Sequence, residues 1–513
     1  MPVPHFGRRS LLLGTGALAL ATACSTSKSD DRTGSTDAVT TTYGPVKGVR
    51  RATGTAYLGI PYAQPPVGEL RFAAPVPPTP WREPLDCTKY GPTAQRKALS
   101  EVTAIPEPSI PGDGVLNLNV FTPDTTAKLP VLVWIHGGGF VAGSAASPWY
   151  DGAAFNRDGV IVVSVGYRLG IEGFLRVEGA PDNRGVLDWI AALTWVRDNI
   201  AAFGGDPGRV TIAGQSAGGG AVWALMAAPA AKGLFHAGIS ASGAVSQPND
   251  RATAVAEAAL FTTRTGLPAT TAALNGLSGS QIQDLEDKLR AIGPGSETVS
   301  ALGLAPFADG TTIPQDTTEL LKSGGATNVP LLLGFTRDEF NGMASEQPVT
   351  DATLPVAFAA LGLPPADIDA FRTAYPGDNA AQLLGQAQSD LLLRAPTYRL
   401  AEDRAARNQP TWLYEFTWAS SAPKFQGSSF HCLDVPFAFD CLKAQGVTAV
   451  AGDNPPQSLA DAVHRSWVSF ITSGDPGSAW PLYTRERRET MIWSDSPRVQ
   501  ADPFAGQRAL WSR

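Results

Sequence analysis

Several short apolar runs along this chain do not alternate with polar residues: Val131–Ile135, Val160–Val163, Val210–Ala213, Leu331–Gly334 and Trp412–Thr417. A strand with one face in water is apolar at every second position, so unbroken β-branched and aromatic runs mark strands covered on both faces. Between them lie helical patterns such as Val186–Ile200, stopped by Gly204-Gly205-Asp206-Pro207. Strand alternating with helix predicts an α/β fold, a largely parallel sheet with helices on both sides. Such sheets keep their ligands at the loops that follow the carboxyl ends of the strands, and chemistry is sought there.

At 513 residues, 43% hydrophobic and 17% charged, the chain is able to bury a large core. No internal repeat and no second composition regime follow Asp37, which predicts one domain with insertions over residues 38–513 rather than two. Lys and Arg number 40 against 47 Asp and Glu. That leaves no positive excess to neutralise phosphates, so nucleic acid is not an expected partner and a small or neutral ligand is.

The first 37 residues read as an address and a spacer. Gly7-Arg8-Arg9-Ser10 leads into the apolar stretch Leu11–Ala23, about the length of a signal-peptide core and too short to span a bilayer. The paired arginines before Ser-Leu-Leu resemble a bacterial twin-arginine signal, giving a signal peptide over residues 1–23. Ala21-Thr22-Ala23 is a small-x-small cleavage site. Cys24 directly after it is a possible lipid acceptor, although Ala21 stands where lipoprotein signals usually carry Leu, so plain secretion and a lipid anchor both stay open. Residues 24–37 are polar and cannot bury themselves, which suits a flexible tether. No later run approaches the roughly 18 apolar residues of a transmembrane helix.

Gly214-Gln215-Ser216-Ala217-Gly218 joins the Val210–Ala213 run to a small-residue run beginning at Gly219. By itself G-x-S-x-G arises by chance in a glycine-rich chain. Placed where a strand becomes a helix, it describes a tight turn that thrusts a nucleophilic serine out of the sheet. Upstream, His136-Gly137-Gly138-Gly139-Phe140 follows the Val131–Ile135 strand. Bare backbone N–H groups there, with that of Ala217, would form an oxyanion hole.

A serine nucleophile needs a base, and a base needs an orienting acid. Of five histidines, His5 leaves with the signal, His136 sits in the glycine loop and His236 lies too early for the α/β-hydrolase order, in which the base comes last. His431 lies in a loop after a strand, and His464 lies in a helical pattern, Ala460–Ile471, where a histidine is usually structural. The position favours His431 and leaves His464 as the alternative. Asp338 and Glu339, side by side after the Leu331–Gly334 strand, are both candidates for the acid.

With these residues in view the chain resembles the type-B carboxylesterases, the branch of the α/β hydrolases that includes the cholinesterases. The resemblance runs from about Val39 to Trp493. It rests on Leu58-Gly-Ile-Pro-Tyr-Ala-Gln-Pro-Pro-Val-Gly68, Leu70-Arg-Phe72, Leu118-Asn-Val-Phe-Thr-Pro123, Tyr167-Arg-Leu-Gly170, Asn183-Arg-Gly-Val-Leu-Asp188, Phe203-Gly-Gly-Asp-Pro207 and Trp480-Pro-Leu-Tyr483. It implies Ser216 as nucleophile, Glu339 as acid and His431 as base. It also implies Gly138, Gly139 and Ala217 as oxyanion donors, Ser242 as a support for the acid, and hydrolysis of small-molecule carboxylic esters without metal or organic cofactor. The same machinery serves amides, lactones and lipid-like esters. Some relatives keep the scaffold without catalysis, but those usually lack a member of the triad.

The chain departs from the family pattern at Gln215, where Glu is usual, at Trp189 for Gln, at Gly166 for a polar residue, and at Phe340 for Gly. Ala94 and Val115 occupy the positions of the family's early disulfide, which leaves Cys87 unpaired. Cys432 and Cys441 lie across a segment that Pro436 makes unsuited to one regular helix, in which they would be about 13 Å apart. A folded-back loop would let them bridge in an oxidising compartment; two buried free thiols are the alternative.

Overall fold

The computed structural model describes residues 38–94, 104–243, 250–290, 304–341 and 349–511. The signal, Cys24 and the tether lie outside the described residues. Three short strands, β1 (Val39–Thr40), β2 (Pro45–Lys47) and β5 (Leu85–Asp86), make a small sheet near the start of the chain.

Among the described residues the main sheet has eleven strands. They are β3 (Val49–Arg51), β4 (Gly54–Pro61), β6 (Asn117–Thr122), β7 (Leu129–Ile135), β8 (Ile161–Val165), β9 (Gly205–Gln215), β10 (Ala237–Ala241), β11 (Leu331–Thr336), β12 (Thr411–Phe416), β13 (Glu489–Trp493) and β14 (Arg498–Ala501). Their spatial order is β14-β13-β12-β11-β10-β9-β7-β8-β6-β4-β3. From β8 through β13 every neighbouring pair is parallel, and the pairs at the two edges are antiparallel.

The unbroken runs have the predicted cause. Val131, Val133 and Ile135 of β7 enter one hydrophobic core while Leu132 and Trp134 enter the core on the opposite face. In β11, Leu331, Leu333 and Phe335 divide from Leu332 in the same way. The predicted Val186–Ile200 helix spans Arg184–Asn199, tightens into a 3₁₀ turn at Ile200–Phe203 and stops at Gly204, whose φ of +81° suits glycine. Among the described residues no single helix is long and apolar enough to cross a membrane.

The helix Ala217–Ala227 begins where β9 ends and is buried at every residue. Its sequence, Ala-Gly-Gly-Gly-Ala-Val-Trp-Ala-Leu-Met-Ala, is small near the start, so the helix lies close against the sheet. The loops after β7, β9, β10, β11 and β12 all open at the same end of the parallel strands; Gly138, Gly139, Ser216, Ser242, Asp338, Glu339 and His431 stand on them, and Ala217 opens the helix that follows β9.

Candidate active site

Ser216 has φ +59° and ψ −125°, a backbone conformation that a side-chain-bearing residue rarely adopts. Such a residue costs about 1–3 kcal/mol and persists only where its surroundings over-determine it. Here its N–H donates to Ala241 O at 2.9 Å, and its carbonyl accepts from Gly220 N at 2.9 Å. The flanking glycines are required by space. A Cβ on Gly218 would lie 2.0 Å from Ile135 O, and one on Gly214 would lie 2.3 Å from the Gly218 carbonyl. The turn is thus wedged between β7 and its own helix, with Ser216 the half-buried residue at its tip.

The glycine loop packs on that tip. A Cβ on Gly137 would lie 2.6 Å from Gln215 O and 3.1 Å from the Ser216 Cβ. Gly138 and Gly139 follow at φ +108° and +62°. The Ala217 N–H belongs to the first turn of its helix, where backbone donors have no intrahelical partner. His136 anchors the loop: its carbonyl accepts from Tyr167 Oη at 2.9 Å and the two rings stack at 4.5 Å. Burial takes the His136 imidazole down to about 4, so it is neutral.

Glu339 and His431 meet across two loops. Glu339 Oε2 contacts His431 Nδ1. Its other oxygen, Oε1, accepts from Ser242 Oγ at 2.6 Å and from Thr336 N at 2.8 Å. The Glu339 N–H in turn donates to Thr336 Oγ1 at 3.2 Å, which completes the reciprocal pairing of a capping box. The 338–339 and 429–431 stretches also pair through backbone bonds, Asp338 N to Ser429 O at 3.0 Å and His431 N to Glu339 O at 2.9 Å. Glu339 is 1% exposed and His431 9%. Asp338 points elsewhere: it pairs with Arg337 at 2.7 Å and accepts from Ser429 N at 2.6 Å, tying the two loops together.

Burial disfavours the His431 imidazolium, but Cys432 and Glu339 outweigh it and hold the pKa well above the ordinary histidine value. Burial also pushes the Cys432 thiol up.

The bridge between Cys432 and Cys441 does not form; both are free thiols, as is Cys87. The segment between them contains the short helix Val435–Ala438, which turns the two sulfurs to different neighbours. Cys432 Sγ donates to Gln215 Oε1 at 3.2 Å, and Cys441 Sγ to Trp149 O at 3.6 Å. His464 lies on the helix Gln457–Ser473, 2% exposed, with Nδ1 on Ala438 O at 2.7 Å and Nε2 on Asp158 Oδ2 at 3.1 Å. These contacts make it a structural cross-link.

Three contributors escaped sequence reasoning. Thr336 was legible in principle, since Thr336-Arg-Asp-Glu339 fits the T-x-x-E capping-box pattern. Phe340, noted only as a departure, lays its ring 4.6 Å from that of His431. The third is a π-turn at Asp390–Arg394 between the helices Ala380–Ser389 and Ala395–Ala405. Beside it, Ser389 Oγ accepts from Phe340 N at 3.1 Å and Arg394 Nη1 donates to Arg337 O at 2.6 Å, so the interruption serves the acid's loop. No sequence rule marks a π-turn.

Known proteins resemble this chain over most of its length. The model of the carboxylesterase family matches residues 35–358 and 372–511. The para-nitrobenzyl esterase of Bacillus subtilis (strain 168) is 38% identical over 489 residues, covering 92% of this chain and 97% of that protein. The liver carboxylesterase of Sus scrofa is 32% identical over 478 residues, 84% of this chain and 83% of that one. A solved PNB esterase superposes with a TM-score of 0.81 at 35% identity, over 92% of this chain and 98% of its own. By that match, by these relatives and by the sheet that carries the site, the chain belongs to the carboxylesterase family of carboxylic ester hydrolases and has the α/β-hydrolase fold.

Proposed function

We propose that the protein is a secreted serine carboxylesterase that works through an acyl-enzyme on Ser216, His431 and Glu339. The observation that carries this reading is the buried Glu339 carboxylate, held by Ser242 and Thr336 on one oxygen and closed on His431 Nδ1 with the other. A carboxylate so placed fixes the tautomer with the proton on Nδ1 and leaves Nε2 as the basic nitrogen.

Ser216 Oγ attacks the acyl carbon and its proton passes to His431 Nε2, forming an imidazolium that Glu339 stabilises. The carbonyl oxygen becomes an oxyanion, which the N–H groups of Gly138, Gly139 and Ala217 receive; one such donor is worth about 10²–10³ in rate. The tetrahedral carbon then expels the alcohol, which takes the proton from Nε2 as it leaves. Water enters, gives its proton to the same nitrogen and frees the acid. Export rests on the N-terminal sequence alone, with secretion and attachment at Cys24 to the outer face of the membrane both consistent with it.

Ser216→Ala tests the reading. The turn accepts a small residue, so a folded protein with turnover of p-nitrophenyl acyl esters at background is expected. A fluorophosphonate should label Ser216 and nothing else. Retained turnover, or a label on another peptide, overturns the assignment.

A further inference from the structure

Arg71 of the Leu70-Arg-Phe72 motif takes no part in the triad or its supports. It is 7% exposed, and its Nε and Nη1 are buried with no hydrogen-bond partner among the described residues. Glu172 Oε1 lies 3.6 Å from Nε, an ion pair too long to be a hydrogen bond. Nor does Glu172 serve Arg71 alone, since Arg168 and Arg184 also feel its charge. Buried donors without acceptors are costly to a fold, and a ligand is one way to supply the acceptor. Arg71 borders a cavity of about 300 Å³ that Gly279 and Ser280 also line, the first two residues of the helix Gly279–Arg290. Ser278 caps this helix: its Oγ accepts from Gln281 N at 3.2 Å, and Gln281 Oε1 accepts from Ser278 N at 2.8 Å. The N–H groups of Gly279 and Ser280 are left without an intrahelical partner, at the positive end of the helix dipole.

We propose that this cavity is a carboxylate-binding site that takes a small organic acid with an apolar body. A carboxylate has two acceptor oxygens, one for the guanidinium fork of Arg71 and one for the two free N–H groups at the head of the helix. Ile110 and Pro111 in the wall give a carbon body somewhere to rest. Asp113, exposed at the rim, is the acid among the described lining residues, and it repels a dianion such as phosphate more than a monoanion. The location supplies the source of the ligand. Thr93 lines this cavity and also a small one that reaches His136 and Gly143 on the loop after β7. Gly170, at the head of the short helix Gly170–Gly173 that carries Glu172, donates its N–H to Phe140 O at 2.8 Å. The site thus adjoins the glycine loop, beside which an ester hydrolase frees a carboxylic acid. It uses no residue of the proposed triad, and its test stands apart from that assignment.

Calorimetric titration of the full chain with sodium benzoate at pH 7 tests the site. One benzoate should bind with a Kd of about 1 mM, and the uncharged benzamide should give no binding heat. Arg71→Gln should weaken benzoate at least tenfold, the effect of losing hydrogen bonds to a charged partner. Ser280→Asp places an anion at the head of the helix and should abolish binding. Because an acidic residue suits a helix N-terminus, that variant should unfold at or above the wild-type temperature. Asp113→Asn removes the repelling charge at the exposed rim and should tighten benzoate about twofold. Benzoate bound equally well by wild type, Arg71→Gln and Ser280→Asp sits elsewhere and overturns the proposal, as does the absence of binding to wild type. Inorganic phosphate binding more tightly than benzoate rejects the carboxylate assignment. If Arg71→Gln does not fold, Ser280→Asp and Asp113→Asn decide, and an unchanged Kd in both rejects the site.

Discussion

At the Ser216 turn, Gly214 and Gly218 keep side chains out of the way of Ile135 and of each other, whereas at the acid, Thr336, Ser242 and the 429–431 loop converge to hold one carboxylate. The first region is shaped by atoms left out, within one short stretch of chain. The second is shaped by bonds added between residues up to 97 apart. Steric exclusion by backbone leaves little room for adjustment, while hydrogen bonds fail one at a time. The two regions should therefore break differently.

The largest effect is expected at the acid. Glu339→Gln leaves an amide that cannot stabilise the imidazolium, and kcat should fall by about 10⁴, the loss typical of such a change in a serine triad. The pH profile supplies an independent sign. The glutamate raises the His431 pKa, so its removal should shift the acid limb of the residual kcat/KM to lower pH. Asp338→Asn should spare kcat to within a few fold, since Asp338 bonds Arg337 and Ser429 and not the imidazole. If Asp338→Asn proves the crippled variant, the roles are reversed.

The next effect belongs to the turn and should appear as stability. Gly218→Ala places a methyl 2.0 Å from the backbone of β7, which has no soft side chain to yield. A loss of about 3 kcal/mol, at the upper end for overpacking, is expected in denaturant unfolding. An unchanged midpoint would mean that the turn is less tightly wedged than its geometry indicates.

The smallest effect tests whether the added bonds act singly. Ser242→Ala removes one hydrogen bond to a charged carboxylate and leaves Thr336 in place. About a tenfold loss of kcat with KM unchanged is expected. A loss as large as that of Glu339→Gln would show that the supports act as one unit.

The same contrast explains what was readable before the fold was known. The parallel core was legible because two-sided burial writes itself into consecutive apolar residues, and β7, β9, β11 and β12 fall on the quoted runs. The serine turn and the glycine loop were legible because a missing Cβ is a property of one residue. His431 was separable from His464 by its setting in a loop. The choice of Glu339 over Asp338 rested on family resemblance, since neighbouring acids differ only in what a distant loop does with them. Between a bridge and free thiols at Cys432 the sequence could not choose for a related reason: proximity in sequence offered Cys441, while the residue it meets, Gln215, lies 217 residues away.

Gly334 of β11 sits in register with Tyr414 of β12, and an added methyl there would lie 2.1 Å from the tyrosine ring. The ring rests flat on bare backbone, and its hydroxyl reaches Asp434 at 2.7 Å, two residues beyond Cys432 on the loop of the base. A change at position 334 touches neither substrate nor triad, yet it would displace the tyrosine, free Asp434 and let the histidine loop drift. In a survey of variants, such a position would be filed among catalytic defects although it contributes no chemistry. The functional footprint of this enzyme thus extends down into its sheet, and a map of intolerance drawn from activity alone would overstate the size of the active site.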